Sequence, residues 1–203
     1  MIAMARIAKA GLLGAGALAL SGCLSLGGDP PEKLLTLTPT VAPADGATAS
    51  AGTGNAANAV SVQPIETPAK LDNNRIPVDI SDTEIAYLQD AFWVEKPSRL
   101  FRRLLGETMR ARGGVLVLDN DDTPLLAAKS LRGSLMEMTY DAPTSSVVVV
   151  FDAMRTNEGG TVVTRRFEAR ESGVLPETAS VGPALNRVAN QVAGEVSNWM
   201  LGG

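Results

Sequence analysis

The chain has 203 residues, a length suited to one domain, and 45% of them are hydrophobic, enough for a buried core. Only 4% are aromatic, so aliphatic side chains must fill most of that core. There is no histidine and a single cysteine, Cys23, which excludes a Ser-His-Asp triad, an imidazole metal site, a cysteine-zinc cluster and an internal disulfide. A net charge of −4 argues against nucleic acid as a partner. Catalysis would rest on Asp, Glu, Lys, Ser or Tyr alone, so the expectation is a protein that is not an enzyme and uses no cofactor or metal.

The N-terminus carries Arg6 and Lys9, then an apolar run from Gly11 to Leu20 that is too short to span a membrane as a helix. Leu20-Ser21-Gly22-Cys23 follows and resembles the lipobox of bacterial lipoproteins. In those proteins the cysteine thiol is joined to diacylglycerol and a peptidase cuts before it. Small Ser21 and Gly22 let the backbone lie close in the peptidase site, and only cysteine supplies a soft nucleophile for the thioether. The resemblance implies a signal peptide over residues 1–22 and a mature, periplasm-facing chain that starts at lipid-bearing Cys23. Removing Arg6 and Lys9, with no acid alongside them, takes the net charge from −4 to about −6. Acyl chains contribute roughly 0.8 kcal/mol per buried methylene, so two or three anchor a protein firmly. Leu24, rather than aspartate, follows the cysteine, which by analogy with enterobacterial sorting favours the outer membrane over the inner.

Residues 23–33 read as a lipidated tether, with Gly27-Gly28 and Pro30-Pro31. Leu34 to Thr38 reads as a strand ended by Pro39, and the domain spans 34–203. Residues 40–58 are Ala, Gly, Thr, Ser and Asn with almost no large apolar side chain, the composition of a flexible loop. Val60 to Glu66 and Arg75 to Ile80 are strand candidates, the second at a sheet edge or strand end because Pro77 cannot donate to a ladder. Ile85 to Gln89 adds a short strand. A helix is expected from Ser98 to Arg112, between Pro97 and Gly113-Gly114, with Leu100, Phe101, Leu104, Leu105 and Met109 on one face.

Val115 to Leu118 is a short apolar strand, followed by a loop at 119–124. Three strands then form an expected antiparallel meander: Ser130 to Tyr140, Ser146 to Arg155 and Thr161 to Arg170. Val147 to Phe151 is apolar on both faces, so the middle strand should be central. Asn157 to Gly160 has the residue types of a hairpin turn. A closing helix is expected from Ser180, as N-cap, to Leu201, with Val181, Leu185, Val188, Val192, Val196 and Trp199 facing the core. The expected class is α/β (α+β): a mixed, largely antiparallel sheet with two main helices packed against it and a three-stranded C-terminal meander.

This order resembles the ABC-type transport auxiliary lipoprotein family, which accompanies Mla-like and mammalian-cell-entry-domain lipid transporters. The resemblance is carried by Leu34 to Pro39 after the lipidated cysteine, Asn74-Arg75-Ile76, and Trp93-Val94-Glu95-Lys96-Pro97-Ser98-Arg99-Leu100 opening the first helix. The strand with Phe167 and the helix ending in Trp199 complete it. The family often has Tyr in the first strand, where this chain has Leu34-Leu35-Thr36-Leu37. The resemblance implies a mixed sheet with helices, a non-enzymatic role, and partners that include a mammalian-cell-entry-domain protein, a permease and an ATPase. Homo-oligomers are also implied, since some members form rings. An alternative role is an envelope scaffold or assembly lipoprotein without transport.

Arg99, Arg102, Arg103, Arg110 and Arg112 on the first helix suit anionic headgroups or an acidic partner, and equally a solvated face. Phe92 and Trp93 suit a partner patch or closure of the core. Asp119 to Asp122 suggest calcium, but the sixth and twelfth positions are Pro124 and Ser130 instead of Gly and Glu, which favours a solvated turn.

Overall fold

The computed structural model describes residues 33–41, 56–113, 115–119 and 127–202. Seven strands and two long helices follow in order: β1 (Ala59–Val62), β2 (Arg75–Asp79), β3 (Ile85–Phe92), α1 (Pro97–Arg112), β4 (Leu116–Leu118), β5 (Lys129–Asp141), β6 (Ser146–Thr156), β7 (Val162–Ser172) and α2 (Thr178–Leu201). Single 3-10 turns precede β1 and β2. The lipobox and Asn120 to Leu126 lie outside the described residues.

The sheet is built on β5. One edge of β5 pairs antiparallel with β6, which pairs antiparallel with β7. Its other edge is shared by β1, opposite Lys129 to Leu131, and β2, opposite Tyr140 and Asp141, both parallel. A bridge between Glu66 and Ser134 joins the two along that edge. β4 extends the sheet beyond β1, and β3 extends it beyond β2. The result is the expected mixed α/β sheet with a C-terminal meander.

Alternation within β5 changes phase. Leu131 and Leu135 face the helices at odd positions, and Met138 and Tyr140 do so at even ones, because the register shifts between Leu135 and Glu137. A bulge there keeps the apolar side chains on one face. β6 is central, as its composition demands, and Val147 to Phe151 are buried on both faces. On the helix face, Phe151 meets Phe101 of α1 edge-on at 5.3 Å. On the other face, Val148 and Val150 are flanked by their register partners Arg170, Glu168 and Glu137, whose long stems shelter them.

Three expectations are corrected. β2 is internal, between β3 and β5, despite Pro77. The proline sits at a register slip against β3, and β5 pairs with β2 only from Val78 onward, so the missing N–H falls outside a continuous ladder. Leu34 to Thr38 forms no continuous strand: Leu35 makes one parallel bridge, to Trp93. α2 starts at Thr178 with Glu177 at the N-cap, so Ser180 lies in the first turn and Pro183 inside the helix. The Thr178 hydroxyl donates to the Gln89 carbonyl at 3.2 Å, which ties the earlier start to β3.

Both helices cover one face of the sheet and run in the same sense. Near their starts, Leu35 bridges Trp93 and packs on Gly182. Near their ends, Arg112 donates to the Asn198 side chain and, at 3.3 Å, to the Gly194 carbonyl. Val181, Leu185, Val188, Val192 and Val196 are fully or almost fully buried. Each contributes on the order of 1.5–3 kcal/mol relative to exposure.

Candidate functional site

The expected lipidation position, Cys23, precedes the first described residue, Lys33, by ten residues. Fully extended, ten residues reach about 35 Å. What the tether meets on arriving is well defined. The Leu35 N–H donates to the Phe92 carbonyl at 2.8 Å, and the Val94 N–H donates to the Leu35 carbonyl at 2.9 Å. The segment then runs along α2 on Gly182, Asn186 and Asn190, which are spaced four apart and share a face. The Thr38 N–H donates to Asn186 Oδ1 at 2.9 Å, the Thr40 N–H donates to Asn190 Oδ1 at 2.8 Å, and Asn190 Nδ2 donates to the Thr38 carbonyl at 2.9 Å. Side-chain amides thus do for this strap what a neighbouring strand does in a sheet. Gly182 leaves room for Leu35, since a Cβ there would stand 2.7 Å from Leu35 Cδ2.

Asn186 and Asn190 are not among the site residues expected from the sequence. The signal for their role is two asparagines four apart inside a helix, where asparagine is disfavoured unless its amide is used. With Asn198 bonded to Arg112, the outward stripe of α2 is left to exposed Pro183, Arg187 and Gln191.

The α1 arginines divide among separate tasks. Arg102 Nε donates to the Val62 carbonyl at 2.9 Å and pins α1 to the end of β1. Arg103 pairs with Glu95 at 2.5 Å. Arg110 pairs with Asp119, which lies over Gly106. Arg99 is exposed and makes no ion pair among the described residues. Phe92 is half-buried, with the Arg75 guanidinium 5.9 Å from its ring centroid. Trp93 is only 1% exposed, and its indole N–H has no acceptor among the described residues.

A second cationic group gathers at the C-terminal end of α2. Arg155 Nη1 donates to the Trp199 carbonyl at 2.5 Å, and Lys129 Nζ donates to the Met200 carbonyl at 3.4 Å. These cations meet the negative end of the helix dipole and its orphan carbonyls. The Arg155 guanidinium also lies 4.8 Å from the Trp199 ring centroid, Trp199 meets Phe167 edge-on at 5.6 Å, and Arg165 lies 4.9 Å from the Phe167 centroid. Arg165, which breaks the apolar alternation of its strand, is therefore placed by an aromatic ring.

Ion pairs on the helix-free face and at α2 hold several carboxyls low. Arg166 lowers Asp152, and Arg187 lowers Glu171. Asp141 is lowered first by the Thr144 hydroxyl and then by Arg170. Burial alone would depress Lys70, but Glu137 and Asp79 outweigh it and raise the ammonium above its ordinary value. Among the described residues no group of three or more Cys, Asp or Glu is placed to hold a metal, and no helix is long and apolar enough to cross a membrane.

No curated protein sequence matches this one. Among solved structures, a protein from Xanthomonas campestris aligns with a TM-score of 0.67 at 17% identity, covering 82% of this chain and 94% of that one. An uncharacterized protein aligns with a TM-score of 0.61 at 12% identity, covering 82% and 99%. A hypothetical protein from Chlamydia trachomatis aligns with a TM-score of 0.50 at 8% identity, covering 72% and 99%. At such identities the likeness is one of fold. A family model described as the ABC-type transport auxiliary lipoprotein component matches residues 36–197, from the strap to the last turns of α2. The chain belongs to the family of ABC-type transport auxiliary lipoprotein components.

Proposed function

We propose that the mature chain starts at Cys23, carries lipid on that thiol, and serves as a non-enzymatic, periplasm-facing subunit of an ABC system that moves phospholipid or another lipid between membranes. Residues 1–22 are the signal peptide, 23–33 the tether and 34–203 the working domain. Its partners are a mammalian-cell-entry-domain protein, a permease and an ATPase. The observation that carries this reading is the family match over 36–197 directly downstream of a lipobox. ATP is hydrolysed elsewhere, since the sequence holds no Gly-x-x-x-x-Gly-Lys-Ser/Thr loop. Leu24 favours the outer membrane as the anchoring surface.

In this mechanism the lipid holds the domain at a membrane and the strap sets where the tether leaves the domain. The rigid sheet-and-helix body then docks on the transporter. Among the α1 arginines, Arg99 is the one we assign to a headgroup or acidic partner, because its neighbours Arg103 and Arg110 are already paired. Self-association is assigned to the outward stripe of α2.

Two measurements test the proposal. Radiolabelled palmitate should enter the wild-type protein and not Cys23→Ser, which should also leave the membrane fraction. Crosslinking in intact cells, followed by purification and mass spectrometry, should enrich a permease, its ATPase and a mammalian-cell-entry-domain protein. Enrichment of outer-membrane or cell-wall proteins alone would replace the transport role with an envelope scaffold.

A further inference from the structure

The first half of β7 is an open sheet edge. Among the described residues β7 pairs with β6 alone. Val162, Val163, Thr164, Arg165 and Arg166 are consecutive and all exposed, Val162 to 53% and Val163 to 37%. The second half is different: Phe167 and Ala169 are buried, Arg170 is tied to Asp141, and Glu171 is tied to Arg187. Single exposed apolar residues are ordinary. Here Val162 and Val163 sit together on an edge that presents unpaired N–H and C=O groups, and exposed Met154 adjoins them as the register partner of Thr164.

The charge on this edge is one-sided. Arg166 is bonded through both Nε and Nη2 to Asp152 at 2.6 Å. Arg165 lies over Phe167 and has no carboxylate among the described residues. Behind it, Arg155 is nine-tenths buried, has no carboxylate among the described residues, and its Nε has no acceptor. In a chain with a net charge of −4, exposed Arg165, without a carboxylate among the described residues and beside an unpaired backbone edge, is complementary to an acidic strand. A second copy would bring like charge to like.

We propose that Val162 to Arg166 receives an extended acidic segment of a partner protein by antiparallel β-addition. Main-chain hydrogen bonds supply the pairing, and a carboxylate opposite Arg165 supplies the register. In the antiparallel sense, an acid opposite Arg165 is followed two and three residues later by side chains opposite Val163 and Val162. The recognised segment therefore carries an acid and then, two residues on, an apolar pair. The partner is a subunit of the transport system, so this inference rests on the proposed function.

The test replaces Thr164 by the photo-crosslinking residue p-benzoyl-phenylalanine in the full-length lipoprotein, irradiates cells, and maps the adduct by mass spectrometry. The expected adduct is to a permease or mammalian-cell-entry-domain subunit, within a segment of the stated pattern. Arg165→Glu should lower its yield at least about five-fold, as removal of an interfacial ion pair does. Reversing the partner's acid to arginine should restore it. Arg165→Gln, with an unchanged melting temperature, guards against a folding effect and should weaken the adduct in the same direction. An adduct to a second copy, to lipid, or to a segment without the acid overturns the proposal, as does full yield in Arg165→Glu. No adduct while transport subunits still co-purify overturns the β7 site alone. If co-purification also fails, both readings fall.

Discussion

Gly133→Ala is the sharpest test of the packing between β5 and β6. Glycine inside a strand normally costs about 0.5–1 kcal/mol relative to alanine, so local preference alone predicts stabilisation. The structure predicts the reverse. A Cβ on Gly133 would stand 2.5 Å from Phe151 Cζ and closer still to the Asp152 carbonyl oxygen. The carbonyl belongs to the strand ladder. The Phe151 ring is fully buried and held edge-on against Phe101, so it cannot swing aside without moving α1. Overpacking of this kind costs about 1–3 kcal/mol. Set against the local gain, a net loss of about 1 kcal/mol remains, or about 2–4 °C in Tm for a domain of this size. Urea and thermal unfolding of the mature chain with Cys23→Ser measure both. Phe151→Leu shortens the obstructing side chain, so Gly133→Ala should cost less in that background than in the wild type. A rise in Tm for Gly133→Ala, or strict additivity with Phe151→Leu, would refute the reasoning.

Three more outcomes follow from particular contacts. Asn186→Ala with Asn190→Ala should cost about 1–2 kcal/mol and speed hydrogen exchange of the amides at Thr38 and Thr40, leaving β6 protected; unchanged exchange there would deny the strap its amide support. Arg155→Met should lower Tm and shift the emission of Trp199, because Trp93 is fully buried and far less able to respond; an unaltered spectrum would place the guanidinium elsewhere. Asp141, Asp152 and Glu171 have lowered values, so the stability they add is present above pH about 4–4.5 and is lost as pH falls further. Lys70 is raised, so its contribution persists through neutral pH and is lost only above about 10.5. With no histidine between these windows, Tm should stay level from about pH 5 to 9; a step near pH 6.5 would contradict this account.

The meander, both helices and the central place of β6 were legible because period and composition agree there. Val147 to Phe151 leaves no polar face, and the valine and leucine stripe of α2 admits one orientation. The β5 bulge was not read, although the switch from Leu131 and Leu135 to Met138 and Tyr140 is its trace in the sequence. The misplaced parts depend on distant partners. Pro77 suggests an edge until a register slip excuses its missing N–H. Leu34 to Thr38 has strand composition, yet only Leu35 bonds to backbone, at Phe92 and Val94, and Thr38 turns to an asparagine side chain about 150 residues away. The five arginines looked alike on a helical wheel. Only the positions of the Val62 carbonyl, Glu95, Asp119 and, for Arg112, Asn198 separate those used in folding from Arg99.

The strap changes what the tether can do. Without it, the first residue held by the sheet would be Ala59 in β1, 36 residues beyond Cys23 and about 125 Å of extended chain away. With Leu35 bridged to Trp93, the intervening length is 12 residues, about a third of that. Under the proposed lipidation of Cys23, the anchor would join the domain beside the starts of α1 and α2. From Gly182, where Leu35 packs, to Trp199 is 17 residues of helix, so the cation-and-aromatic end of α2 lies about 26 Å from the tether exit. That distance spans several Debye lengths at physiological salt, and the two ends therefore act as separate electrostatic surfaces. An acidic chain can thus carry a locally cationic docking edge at Arg165 without its net charge cancelling it. On the proposed reading, the anchored end and the partner-facing end are set apart by one helix.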